Sequence, residues 1–259
     1  MTGSTHKRDA HGGSDPYSKL TKAQDRRKMT YPLVIGGTVL VVAVCAFVAF
    51  MATRSDDKST TAESGTGAAA AAKARQQVAA ITVSGEPLPD MPDTSGSYFS
   101  DPTTDKAIGM QALKIDGESF DGSKISVDPS DGTPRVFVFV AHWCPHCQRE
   151  LPEIEAWIKA GKLPKNVEII VVSTAVNEPR GNYPVSNWIA KEDITPKVVL
   201  DDKDSGAAAK FGLTSFPYFV MTNGSGKVVA RGSGEIPIDN FGAAVDALSK
   251  GEDPIAAGS

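Results

Sequence analysis

From about residue 108 onward, short apolar runs alternate with segments whose apolar positions recur every three or four residues. The runs at 135–141 (RVFVFVA) and 167–172 (VEIIVV) are rich in β-branched and aromatic residues, which predicts strands buried on both faces. Between them, 144–160 carries Leu151, Ile154, Trp157 and Ile158 at helical spacing, with Pro152 inside the pattern. Upstream, Leu113, Ile115 and the run at 124–127 flank two Asp-Gly pairs and predict a short hairpin. Downstream, helices are expected at 186–191 and 205–211 and an extended piece at 197–200. Strands at 218–221 and 227–231 then flank an Asn-Gly-Ser-Gly turn. Ile238, Phe241, Val245 and Leu248 share one face of a terminal helix. Strands that alternate with helices and close on a hairpin and a helix predict an α/β sandwich with a central mixed sheet flanked by helices.

The N-terminal part follows other rules. Residues 1–30 are polar, aperiodic and net positive, which predicts a disordered tail. Residues 31–52 (YPLVIGGTVLVVAVCAFVAFMA) hold no charge across 22 positions, enough at about 1.5 Å per residue to span a hydrocarbon core of roughly 30 Å. A signal peptide has a shorter apolar region, about 7–15 residues, and a small-residue cleavage site; Phe50-Met51-Ala52 offers none. An uncleaved transmembrane helix is therefore expected. Positive residues stay inside, so the chain after Thr53 lies outside the cell membrane. Residues 53–106 are rich in Ala, Gly, Ser, Thr and Pro and read as an extracytoplasmic linker. The globular domain is expected at 107–250, and 251–259 as a flexible end.

Charge and cysteine usage narrow the chemistry. A net charge of −4 with no basic face past the tail argues against a nucleic-acid partner. Three cysteines exclude a disulfide framework, and Cys45, inside the apolar run, reads as inert filler. Cys144 and Cys147 remain, in Trp143-Cys144-Pro145-His146-Cys147 directly after a strand. At the start of a helix, free N–H groups and the dipole stabilise a thiolate on Cys144; Cys147 lies one turn further, within disulfide reach. Pro145 suits an early helical position, where its missing N–H costs little. His146 is expected to add positive charge near Cys144, and Cys147 to act as the resolving thiol. Zinc would need further ligands, but His142 and His146 sit inside the motif and His6 and His11 in the tail. Gln148 occupies the place of the histidine that haem attachment requires. No metal or cofactor is expected. His142 reads as a surface residue, Trp157 and Trp188 as core. Glu150 and Glu153 read as a solvated helix face, either able to tune a local pKa.

Over roughly residues 107–250 this arrangement resembles the thioredoxin superfamily. The motif after the strand, Pro152 five positions past Cys147, and Phe211-Gly-Leu-Thr-Ser-Phe-Pro217 before a strand carry the likeness. It implies that Pro217 is a cis-proline facing the dithiol. The scaffold is similar to the membrane-anchored TlpA-like proteins, whereas Pro145-His146 resembles the DsbA-type oxidants. Thioredoxins place a buried acid six residues before the first cysteine, where this chain has Val138. The peroxiredoxin signature Pro-x-x-x-Thr-x-x-Cys is absent. The resemblance implies an anchored thiol–disulfide oxidoreductase acting on cysteine-containing exported proteins, leaning to oxidation, with a membrane redox partner to recycle it. The alternatives are an extracytoplasmic reductase of the cytochrome c maturation type and, less in keeping with the spacing, a metal carrier.

Overall fold

The computed structural model describes residues 76–94 and 96–259; the tail, the apolar run at 31–52 and Cys45 lie outside the described residues. Among the described residues no helix is long and apolar enough to cross a membrane.

Strands β4 (Arg135–Val140), β5 (Glu168–Ser173), β6 (Lys197–Leu200), β7 (Tyr218–Thr222) and β8 (Val228–Ser233) form one sheet in the order β6-β5-β4-β7-β8. The first three run parallel, while β7 pairs antiparallel with both β4 and β8. A second, antiparallel sheet joins β1 (Thr82–Ser84), β2 (Lys114–Glu118) and β3 (Lys124–Val127). The helices are α1 (Pro145–Lys159), α2 (Val185–Lys191), α3 (Gly206–Lys210), α4 (Ile238–Lys250) and α5 (Pro254–Ala257).

The uninterrupted apolar run of β4 is explained by cover on both faces. Val136, Val138 and Val140 share a core with Leu151, Ile154 and Trp157 of α1, Trp188 of α2 and Phe241 of α4. Phe137 and Phe139 point the other way, into a core with Ile115, Val127 and Phe211. The mixed-sheet sandwich expected from the sequence is the observed one.

Two segments depart from expectation. The second half of the presumed linker is part of the fold: β1 pairs with β2, and Leu88, Met91 and Phe99 are buried. Its apolar residues are too widely spaced to show a period, and single anchors hold it. The Leu88 N–H donates to the Lys210 carbonyl at 2.9 Å and the Met91 N–H to the Gly212 carbonyl at 2.9 Å. Gly212 has φ +73°, and a Cβ there would lie 2.2 Å from the Pro89 carbonyl oxygen, so only glycine lets this strap approach. The C-terminus is likewise ordered: Asp253 caps α5 by accepting from the Ile255 N–H at 2.9 Å.

The strap is locked by a buried ion pair that the sequence did not reveal. Arg231 of β8 and Asp105 are both fully buried and paired. The Arg231 Nε donates to Asp105 Oδ2 at 2.8 Å, and its Nη1 to the Pro89 carbonyl at 2.8 Å and the Tyr218 hydroxyl at 3.1 Å. Asp105 also accepts from the Ser100 hydroxyl at 2.6 Å and the Ala107 N–H at 3.0 Å. Burial alone would raise the Asp105 pKa; the guanidinium and these donors together bring it below its ordinary value.

Candidate active site

Strand β4 delivers the chain to the dithiol. Cys144 is the N-cap of α1, with extended φ −77° and ψ 119°, and Pro145 follows in the first turn. Both cysteines are free thiols in this structure. Cys144 is 6 % exposed and Cys147 wholly buried, so one sulfur alone can be reached from outside. Burial pushes the Cys147 thiol well above its ordinary range, against a hydrogen bond that the Ala141 backbone N–H donates to the sulfur, and the neighbouring Cys144 adds to the rise.

The Phe216–Pro217 peptide is cis. Because Phe139 pairs with Tyr218, this loop stands level with the exit of β4. The Phe216 ring meets Trp143 edge-on, with centroids 6.0 Å apart. A groove of about 680 Å³ opens beside it, lined in part by Met91, Pro92, Thr94, His146, Phe216 and Glu235. A larger cleft, of about 910 Å³, lies among Arg135, Glu168 and Lys197, the first residues of the three parallel strands and so away from the dithiol.

His146 has company that its position in the sequence did not announce. Its Nδ1 lies 2.5 Å from Glu235 Oε1 and 3.0 Å from Arg149 Nη2. Arg149 also donates through Nε to both Glu235 oxygens, at 3.1 and 3.2 Å. Arg149 and then His146 hold the Glu235 carboxyl below the usual range, and the Cys144 sulfur lies within the electrostatic reach of Arg149. The positive field expected from His146 thus comes from Arg149, one turn further along α1, and an acid from the loop after β8 joins both side chains.

Glu150 corrects the sequence reading. It is 3 % exposed rather than solvated, and its Oε1 accepts the Ile236 N–H at 3.3 Å. Desolvation raises its pKa to about 8, with the Glu153 and Glu235 carboxylates adding to the rise. It acts on the Cys147 thiol electrostatically. The site therefore has a buried acid one turn past the second cysteine, while Val138 on β4 is fully buried and apolar. The signal was present: Glu150 falls inside the stripe of Cys147, Leu151, Ile154 and Trp157 that α1 turns to the core. Glu153 is exposed, as expected.

His142 is a second correction. It is buried, with Nδ1 2.7 Å from the Gly181 carbonyl and Nε2 accepting the Asn177 N–H at 3.0 Å.

A family model described as the AhpC/TSA family matches residues 107–231, just under half of the chain. The sporulation thiol-disulfide oxidoreductase A of Bacillus subtilis is 25% identical over 111 residues, 43% of this chain and 65% of its own length. The match therefore leaves more than a third of that relative unpaired. The thiol-disulfide oxidoreductase ResA of Halalkalibacterium halodurans is 27% identical over 133 residues, 51% of this chain and 72% of that protein. These matches support a thiol–disulfide oxidoreductase of the thioredoxin superfamily, on a TlpA-like scaffold. Among solved structures, that of MTB dsbF in mixed oxidised and reduced forms covers 51% of this chain and 93% of its own, at 25% identity and a TM-score of 0.44.

In this thioredoxin-like setting the geometry has one chemical sense. The first cysteine stands at the N-terminus of α1, the second is sealed from solvent one turn on, and a buried carboxyl of raised pKa lies within electrostatic reach of it.

Proposed function

We propose that this chain is a membrane-anchored, extracytoplasmic thiol–disulfide oxidoreductase that exchanges disulfides with cysteine-containing exported proteins, leaning to oxidation. The observation that carries the reading is the placement of Cys144 as the N-cap of α1 with Cys147 fully buried one turn below. A client thiolate attacks the Cys144 sulfur of the oxidised pair; the Cys144–Cys147 bond breaks, and Cys147 leaves and takes a proton, with Glu150 placed to supply it. A second client thiolate then attacks the client sulfur of the mixed disulfide and expels Cys144 as thiolate. The client gains a disulfide, its two electrons rest on the dithiol, and a membrane redox partner removes them. Pro145 fixes the first turn, His146 contributes to the field around Cys144, and Pro217 lines the approach. No cofactor enters these steps. The absence of the Pro-x-x-x-Thr-x-x-Cys signature argues against peroxide as substrate.

The anchor reading rests on the uncharged run at 31–52 and the basic cluster before it. The lean to oxidation rests on Pro145-His146 and on the Arg149 guanidinium within electrostatic reach of Cys144. Reduction is the second reading, and one observation favours it: Glu235 engages the Arg149 guanidinium as well as the His146 ring, which weakens the hold of that guanidinium on a Cys144 thiolate. A reduction potential of the Cys144/Cys147 couple near −270 mV, about that of thioredoxin, would place the protein with the reductases. A clearly higher value would place it with the oxidants.

The exchange itself is tested by Cys147→Ser, which leaves Cys144 to attack with no sulfur to resolve it. Intact-protein mass spectrometry after expression in the native membrane is expected to find exported proteins disulfide-linked to Cys144. Further replacement of Cys144 by serine should abolish every such adduct. If the single variant carries no client adduct, the reading fails.

A further inference from the structure

One flank of Cys144 is built by residues 175–184, between β5 and α2, and the exchange steps give this loop no task. His142 engages it through both ring nitrogens. Nδ1 lies 2.7 Å from the Gly181 carbonyl, which can only accept, so Nδ1 carries the proton and donates. Nε2 is then bare and accepts the Asn177 N–H at 3.0 Å. The His142 carbonyl in turn accepts from Asn182 Nδ2 at 3.3 Å and from Gln148 Nε2 of α1 at 2.8 Å. Between these ties, Arg180 places its guanidinium carbon 4.8 Å from the centroid of the Trp143 ring. The Trp143 indole N–H donates to the Ala175 carbonyl at 2.7 Å, and the ring meets Phe216 at the mouth of the groove. Arg180, Trp143 and Phe216 thus form a row beside the reactive sulfur.

We propose that His142 is a positioning residue: as the neutral Nδ1–H tautomer it pins residues 177–182, so that Arg180 stays on Trp143 as the flank that receives a client chain, and protonation of the ring releases that flank. This deepens the exchange reading above and rests on it.

The direction follows from what surrounds the ring. An imidazolium has two donors and no acceptor, so Nε2–H would face the Asn177 N–H. Arg180 on the same loop adds like charge. The nearest carboxylate of that loop, Glu178, is engaged by the Tyr183 hydroxyl at 2.9 Å, and the Tyr183 ring stands 6.1 Å from the imidazole. On the α1 side, Gln148 meets the His142 carbonyl, and the one charged group there, Arg149, is occupied by Glu235. Burial, with help from Arg180, depresses the His142 pKa below 6.5. The tie is therefore complete above about pH 6.5 and is lost as pH falls through the lowered value.

The test uses the full chain in detergent micelles. Long-range proton–nitrogen correlation is expected to show His142 as the Nδ1–H tautomer at pH 7, with the Asn177 amide and Trp143 indole resonances moving in step with its titration. In parallel, the oxidised protein is reacted with an unstructured single-cysteine peptide and with dithiothreitol. On acidification the ratio of the two kcat/KM values should fall roughly two- to fivefold, through KM for the peptide, the worth of an exposed cation–π contact. H142Q should remove that step. R180A, which leaves the ties of His142 intact, should show the low ratio at every pH. An Nε2–H tautomer, Asn177 and Trp143 signals indifferent to His142, or a ratio unmoved by pH and by R180A would each overturn the proposal. Failure to react with either thiol would sink the exchange reading instead, and the resonances would still decide the role of His142.

Discussion

Arg231→Leu is expected to lower the free energy of unfolding by about 3–5 kcal/mol, the cost of stranding one partner of a buried ion pair. The size follows from the surroundings of Asp105, which is fully buried and without its guanidinium would have to carry an unpaired charge or take up a proton. Its remaining donors, the Ser100 hydroxyl and the Ala107 N–H, carry no charge to replace the guanidinium. The Pro89 carbonyl and the Tyr218 hydroxyl would each lose a donor as well. Urea unfolding of the two proteins measures the difference, and limited proteolysis should cut the variant first within residues 86–105. Combining Arg231→Leu with Asp105→Leu should recover much of the loss, since an apolar pair leaves no charge stranded. A single substitution costing under about 1 kcal/mol would show that the pair does not hold the strap.

Glu150→Gln is expected to change how stability depends on pH. The Glu150 carboxyl titrates at 4.5 in an unperturbed setting and at about 8 in the folded protein. An acid raised by folding stabilises fully below its unfolded pKa, and that contribution is lost as pH rises through the folded value. Wild-type protein should therefore lose stability between about pH 4.5 and 8, by at most about 4 kcal/mol from this group. Glutamine keeps an oxygen for the Ile236 N–H and never ionises, so the slope should vanish and the variant should be the more stable protein at pH 8. Unfolding free energies of the reduced proteins at pH 5, 6.5 and 8 decide the matter; parallel curves would contradict the assignment. The same substitution should slow release of mixed disulfides, because Cys147 loses its proton partner.

These two residues show where sequence reading succeeds and where it stops. The strands, the main helices and the dithiol were legible because each is specified locally: apolar runs for β4 and β5, a 3.6-residue period for α1 and α4, a strand–Cys–helix junction for the site. Glu150 was legible in part, since it interrupts the apolar stripe of α1, but an acid within a helix reads first as solvated. Glu235 carried no local signal, because it meets His146 across 89 positions of chain. The pairing of Arg231 with Asp105 spans 126 positions, and it decides that a Pro- and Ser-rich stretch folds rather than trails. His142 was misplaced because nothing around it announces the loop that closes over it.

The strap has one more result. β8 ends the central sheet, yet its outer side is not left open: the Ser100 N–H donates to the Arg231 carbonyl at 2.8 Å beside a bridge between Phe99 and Gly232. Further along, the Gly109 N–H donates to the Val228 carbonyl at 2.8 Å, and the Val228 N–H to the Met110 carbonyl at 3.0 Å. An exposed strand margin is a template for any extended polypeptide with backbone groups to spare. On the function proposed above, a client chain finds no such template along this margin and is held at the sulfur alone.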